Sequence, residues 1–192
     1  LVARAASPRA GYGSVAHPRE TANKYQESGA PLKTQPAARR LGVVMDPIED
    51  IQPKKDSTLA MLLAAQRAGW QIVYFRQGDL ALRDGVAVGA GAAIEVYDDP
   101  AAWFRRGSPW QGELHELDAL LMRKDPPFDT EYIYTTYILE RAEERGLPVV
   151  NKPASLRDIN EKAYTAWFPD CTPPSLVTRS RADLLGFLET HR

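Results

Sequence analysis

The sequence predicts an α/β domain with a mainly parallel sheet and helices on both faces. Three observations predict it. Short apolar runs alternate with stretches of helical spacing over residues 41–192, the pattern of a sheet covered by helices. Strand, helix and strand fit into about thirty-five residues between Leu41 and Phe75, the size of a βαβ unit. Three apolar runs also end in polar residues followed by a proline-containing loop, as expected where strands leave a buried parallel sheet.

The elements follow in order. Leu41-Gly-Val-Val-Met-Asp46 is a buried strand closed by Pro47. Asp56 is a helix N-cap, Ser57–Ala68 the helix, and Gly69 its stop. Leu59, Leu62 and Leu63 share one face of that helix with Gln66. Trp70–Phe75 is the next strand. Leu80–Leu82 and Val86–Val88 flank Asp84-Gly85, a type I′ hairpin signal. Ala93–Tyr97 is a further strand candidate, and 99–117 is loop-like, anchored by Trp103, Phe104 and Trp110. Asp118–Arg123 is a strand and Lys124–Asp129 a loop. Thr130–Arg145 is a helix whose stripe is Ile133, Tyr134, Tyr137, Ile138 and Ala142, with Gly146 and Pro148 as stop signals. Pro148–Asn151 is a fourth strand. Ser155-Leu-Arg-Asp158 resembles a capping box opening a helix toward Trp167. Ser175–Thr178 is a strand and Arg181–Thr190 a helix.

Composition narrows the class. Of 192 residues, 44% are apolar and 26% charged, as in ordinary globular proteins. The longest run without a polar side chain is Gly85–Ile94, too short to cross a membrane as a helix. A single cysteine, Cys171, excludes a disulfide framework and fits a reducing, cytoplasmic compartment. Residues 1–40 carry a net charge of +5 and residues 41–192 a net charge of −6. The folded part therefore offers no basic face for nucleic acid. Residues 1–40 hold Pro8, Pro18, Pro31 and Pro36 and no periodic apolar pattern. They read as a disordered basic arm or a non-native extension; a transit peptide, an RNA-binding arm or a linker all remain open.

In open α/β sheets, ligands bind beyond the carboxyl ends of the strands. The candidate loops are Met45-Asp46-Pro47, Met122–Pro127 and Val150-Asn151-Lys152-Pro153, so Asp46, Arg123 and Asn151 are candidate binding residues. Arg123 can fork onto a carboxylate. Lys55, Asp56 and Ser57 lie at a helix N-terminus, which favours an anion. Together they describe a pocket for a small molecule with carboxylates and an amine. No Walker-type phosphate loop, nucleophile elbow or His/Cys metal spacing is present. The residues alone give no reaction.

The strings LGVVMDPIEDIQPKKDSTLAMLLAAQRAG, LLMRKDPPFDTEYIYTTYILERAEERG and VVNKPASLRDINEKAYTAWFPD resemble the bacterial glutathione synthetase family of ATP-grasp ligases. The resemblance implies a Rossmann-like pre-ATP-grasp domain over residues 41–160 and the beginning of an ATP-grasp domain over 161–192. It implies that the complete enzyme joins glycine to γ-glutamylcysteine with ATP and Mg2+ or Mn2+, through an acyl phosphate. Arg123 and the Lys55-Asp56-Ser57 turn then lie toward the peptide substrate, and Lys162 matches a lysine that contacts ATP. A homo-oligomer is implied for the full-length protein, with no nucleic acid or membrane partner. The family's glycine-rich loop and acidic metal ligands would come after Arg192. The fragment is accordingly expected to hold no catalytic residue or metal ligand and to be inactive alone. Two other readings stay open: a free-standing domain that binds a thiol peptide or a partner protein, and an ATP-grasp ligase for a different dipeptide.

Overall fold

The computed structural model describes residues 38–160 and 162–191. The arm expected over residues 1–40 therefore lies outside the described residues up to position 37. The chain builds β1 (Arg40–Val44), α1 (Ser57–Arg67), β2 (Gln71–Phe75), β3 (Leu80–Arg83) and β4 (Val86–Val96). It continues with β5 (Phe104–Glu113), β6 (Ala119–Met122), α2 (Thr130–Glu143), β7 (Val149–Val150), α3 (Pro153–Asp158) and α4 (Arg181–Thr190). Among the described residues seven strands form one sheet in the order β3-β4-β2-β1-β6-β7, with β5 paired to β4.

The sheet is mixed rather than mainly parallel. β1 pairs in parallel with β2 and β6, and β6 with β7. The pairs β2–β4, β3–β4 and β4–β5 are antiparallel. The expected hairpin produces the antiparallel half. Asp84 and Gly85 have φ of 50° and 78°, the conformation a type I′ turn needs at both central residues. β4 then runs unbroken past the hairpin to Val96, absorbing the separate strand expected at Ala93–Tyr97. The 99–117 loop is corrected too, since β5 occupies most of it. β5 carries Gly107, Pro109 and Gly112 and pairs only with β4. Among the described residues it is an edge strand, where proline is tolerated and the alternating pattern is weak.

Each face of the sheet has its own core. Leu41, Val43, Met45, Ile72, Tyr74, Ile94 and Val96 pack with Leu59 and Leu62 of α1. Val44, Val73, Phe75, Leu120 and Met122 pack with Tyr132, Leu139 and Ala142 of α2. The alternation of Val43 and Val44 between the two cores is the period-2 geometry of a strand. Gln66 completes the first face: its side-chain amide donates to Val96 O at 2.8 Å and accepts from Val96 N at 2.9 Å. Gly91 is required on β4, because a Cβ there would collide with the Tyr74 carbonyl oxygen and the Phe75 ring.

Three further expectations are corrected. The buried stripe of α2 is Tyr132, Thr135, Thr136, Leu139 and Ala142, while Tyr134 and Tyr137 are 64% and 47% exposed. The threonines go inside because their hydroxyls bond back to the helix, Thr135 to Glu131 O at 2.9 Å and Thr136 to Ile133 O at 2.6 Å. α3 starts at Pro153 and ends at Asp158 instead of running from Ser155 to Trp167. Proline at the first helical position, with φ already set, starts the helix earlier. Ser175–Thr178 forms no strand. α4 forms with Ser180 as its N-cap, and none of its residues is buried. Trp167 and Phe168 are exposed. Among the described residues, no helix is long and apolar enough to cross a membrane.

Candidate functional site

Because β1, β6 and β7 run parallel, the loops after Val44, Met122 and Val150 leave the same edge of the sheet. The loop after β6 is tied to the loop after β1. Asp46 accepts the Asp125 backbone N–H at 2.9 Å, and its other carboxylate oxygen takes the Lys124 ammonium at 3.0 Å. Lys124 has only 15% of its side chain exposed. Asp46 therefore lines the site mainly as the residue that fixes the Lys124–Asp125 turn.

Arg123 projects from the end of β6 onto the start of α1. Its Nε donates to Thr58 Oγ1 and its Nη2 to Ser57 Oγ, both at 3.0 Å. Asp56 caps α1 by accepting from Leu59 N at 2.7 Å, which aims the first turn at Arg123. Asp46, Lys55, Asp56, Ser57, Thr58, Arg123 and Asp125 line one cavity of about 200 Å3. This is smaller than the ~300–1,000 Å3 of a complete ligand pocket, so it suits one end of a small molecule. The lining carries two cations and three carboxylates, a charge pattern for a zwitterion rather than for a bare polyanion.

A second cavity, of about 570 Å3, lies on the other side of Pro126. Phe128, Tyr132, Leu156 and Ile159 give it apolar walls, and Asn151, Asn160 and Lys162 supply polar groups. The Phe128 and Tyr132 rings are tilted at 5.4 Å. Asn151 and Lys162 thus share this cavity with each other, and neither lines the Arg123 cavity. Tyr132 senses both: burial, then the Asp125 charge, raises its phenol above the usual range, while Arg123 works the other way. Other clefts, of about 500 and 670 Å3, lie along β3–β5 and beside Trp70 and Trp110, away from these three strand ends. Among the described residues, no group of three His, Cys, Asp or Glu could hold a metal ion.

Of the binding candidates read from the sequence, Asp46, Lys55, Asp56, Ser57 and Arg123 line one cavity. Thr58 and Tyr132 are not among those candidates, and Asp125 is there only as part of the Met122–Pro127 loop. Thr58 had one signal, its place as the second hydroxyl behind a capping aspartate. Tyr132 lies outside the expected helix stripe, although its place among the tyrosines at 132, 134 and 137 suits core or interface, and it is buried in the core.

Residues 40–157 match the family model described as "Prokaryotic glutathione synthetase, N-terminal domain". The chain belongs to the prokaryotic glutathione synthetase N-terminal domain family. Its relatives in Vibrio vulnificus (strain YJ016) and Vibrio cholerae serotype O1, each named "Glutathione synthetase", are 56% identical over 152 residues. One from Yersinia pestis with the same name is 53% identical over 152 residues. Each match covers 79% of this chain and 48% of the relative. The chain thus spans about half the length of the curated relatives it matches. The glutathione synthetase match covers β1 through most of α3, and so includes Asp46, the α1 N-terminus, Arg123 and Asn151. Lys162 lies just past its end.

Proposed function

We propose that this chain supplies the γ-glutamylcysteine side of a glutathione synthetase. In this reading residues 41–160 are the pre-ATP-grasp domain and 161–192 begin the ATP-grasp domain. The full-length protein is a cytoplasmic, homo-oligomeric ligase using ATP with Mg2+ or Mn2+. The overall reaction joins the cysteine carboxylate of γ-glutamylcysteine to the amine of glycine, with ATP consumed to ADP and phosphate through an acyl phosphate.

The observation that carries the reading is the Arg123 guanidinium at the end of β6, forked onto two hydroxyls and facing a small mixed-charge cavity. Arg123 and Lys55 receive a substrate carboxylate through charge-assisted hydrogen bonds, and Asp125 faces the substrate ammonium. Asp46 holds the Lys124–Asp125 turn in place for both. The larger cavity carries Lys162 and apolar walls, which suit a base and a phosphate of the nucleotide. In this reading the residues around Arg123 bind and orient the peptide substrate.

Titration calorimetry of γ-glutamylcysteine into the full-length protein tests this. Arg123→Ala should weaken binding by about 10- to 100-fold, the worth of a charged hydrogen bond of roughly 1.5–3 kcal/mol. Lys162→Ala should weaken nucleotide binding and leave the peptide unchanged. An Arg123→Ala protein with wild-type peptide affinity would remove Arg123 from the site.

A further inference from the structure

Arg76, Arg105, Arg106, Arg141, Arg145 and Arg157 all end on glutamate carboxylates. Arg123 ends on the hydroxyls of Ser57 and Thr58. The difference has an electrostatic consequence. A carboxylate partner fixes a guanidinium but cancels its charge and competes for the N–H groups that a ligand would use. A hydroxyl accepts one hydrogen bond, fixes the plane of the fork and leaves the full positive charge. Thr58 is only 4% exposed, so its hydroxyl is already desolvated and would be costly to leave unpaired. Its place as the second residue of α1, behind the Asp56 cap, sets its position through the backbone.

We propose that Thr58, assisted by Ser57, is a positioning residue that orients Arg123 for a substrate carboxylate without neutralising it. This rests on the reading that Arg123 receives that carboxylate. Thr58 touches no substrate in this role and acts only through the guanidinium. The Nε bond to Thr58 and the Nη2 bond to Ser57 hold one edge of the fork against α1. The remaining N–H groups are left for the cavity. A threonine also excludes the alternative in which an acid at this position captures Arg123 permanently.

A double-mutant cycle in the full-length protein tests the assignment, read as the γ-glutamylcysteine dissociation constant and the KM for each substrate. Thr58→Val keeps the shape of the side chain and removes the hydroxyl. It should raise the peptide dissociation constant about tenfold while the KM for ATP stays at the wild-type value. Thr58→Ser should restore the affinity. In an Arg123→Ala background, Thr58→Val should add nothing, because the group it orients is gone. Ser57→Ala, at an exposed hydroxyl that α1 does not need for packing, should give a smaller loss of about two- to threefold and covers the case of a poorly folded Thr58 variant. If Arg123→Ala weakens binding while Thr58→Val and Ser57→Ala do not, the positioning role is wrong and the Arg123 assignment stands. A Thr58→Val loss that persists in the Arg123→Ala background equally overturns the role, since Thr58 would then act independently. If Arg123→Ala itself has no effect, the substrate reading fails and the positioning role falls with it.

Discussion

Tyr132 lines the larger cavity and can report on both. Its phenol responds to Asp125 and Arg123, which line the smaller one. Burial and the Asp125 charge favour the neutral phenol, so its folded pKa lies above the usual value near 10. The linked stability is present below the unfolded pKa and is lost as pH rises through the folded one. Asp125→Asn should bring the Tyr132 titration down and Arg123→Ala should push it further up, followed by the Cζ carbon shift in a tyrosine-labelled protein. A titration indifferent to both changes would separate Tyr132 from the Arg123 cavity. The same pair shows what the sequence could and could not say about the site. Arg123 was legible because an arginine leaving a buried strand into a proline loop has few purely structural uses. Tyr132 was not, because its importance depends on a helix phase set by Thr135 and Thr136. Those two threonines hide their hydroxyls in the helix backbone and so occupy positions that a hydropathy pattern assigns to the outside.

At the scale of elements, the second cavity depends on α3, which has only six residues and no side-chain N-cap. A helix that short is marginal by itself, so its position is imposed from α2. Arg157 makes that link. It bonds Glu140 at 2.6 Å and Thr136 Oγ1 at 3.2 Å, and lies over the Tyr137 ring at 4.4 Å. Its side chain is 15% exposed and that of Glu140 is 30%, so the pair is partly shielded from water. Arg157→Ala should cost about 1.5–3 kcal/mol in denaturant unfolding, the range of a charged hydrogen bond. Amide exchange should accelerate locally over residues 153–160, while β1 and β6 stay protected. Uniform acceleration across the sheet would mean that α3 is not a separately anchored element. The elements themselves were unevenly legible. α1, the β3–β4 turn, α2 and α4 carry local signals, namely caps, Asp-Gly and glycine stops, that need no partner to be understood. β5 carries none. Its pairing is decided by β4, and Gly107, Pro109 and Gly112 look like loop residues until a long neighbour is present to receive them.

The described residues are built on one sheet with a core on each face, and the candidate site sits where the parallel part of that sheet ends. The sheet's parallel half was legible from three proline-closed strands. Its antiparallel half was legible only as the hairpin and a separate strand at Ala93–Tyr97, because β4 continues for eight residues past Val88 through small side chains whose pattern gives no direction. The division into two faces makes a quantitative claim. Ile72 belongs to the core under α1 and Leu139 to the core under α2, and no buried residue is shared between those clusters. Ile72→Val should cost about 0.5–1.5 kcal/mol and Leu139→Ala about 2–5 kcal/mol. Sites that share no partners add to within about 0.5 kcal/mol, so the double variant should lose the sum. Leu139 and Leu147 lie in the same cluster. Combining Leu139→Ala with Leu147→Ala should depart from the sum, because one cavity lets the other collapse or deepen. All the variants can be compared by denaturant unfolding at constant slope. Coupling between Ile72 and Leu139 as large as that between Leu139 and Leu147 would show that strain crosses the sheet. In that case a change in the α1 core would also reach the second cavity through α2. Additivity would instead confine each core to its own side, leaving the Arg123–Thr58 contact and the Asp46–Lys124 pair as the links joining the two halves of the site.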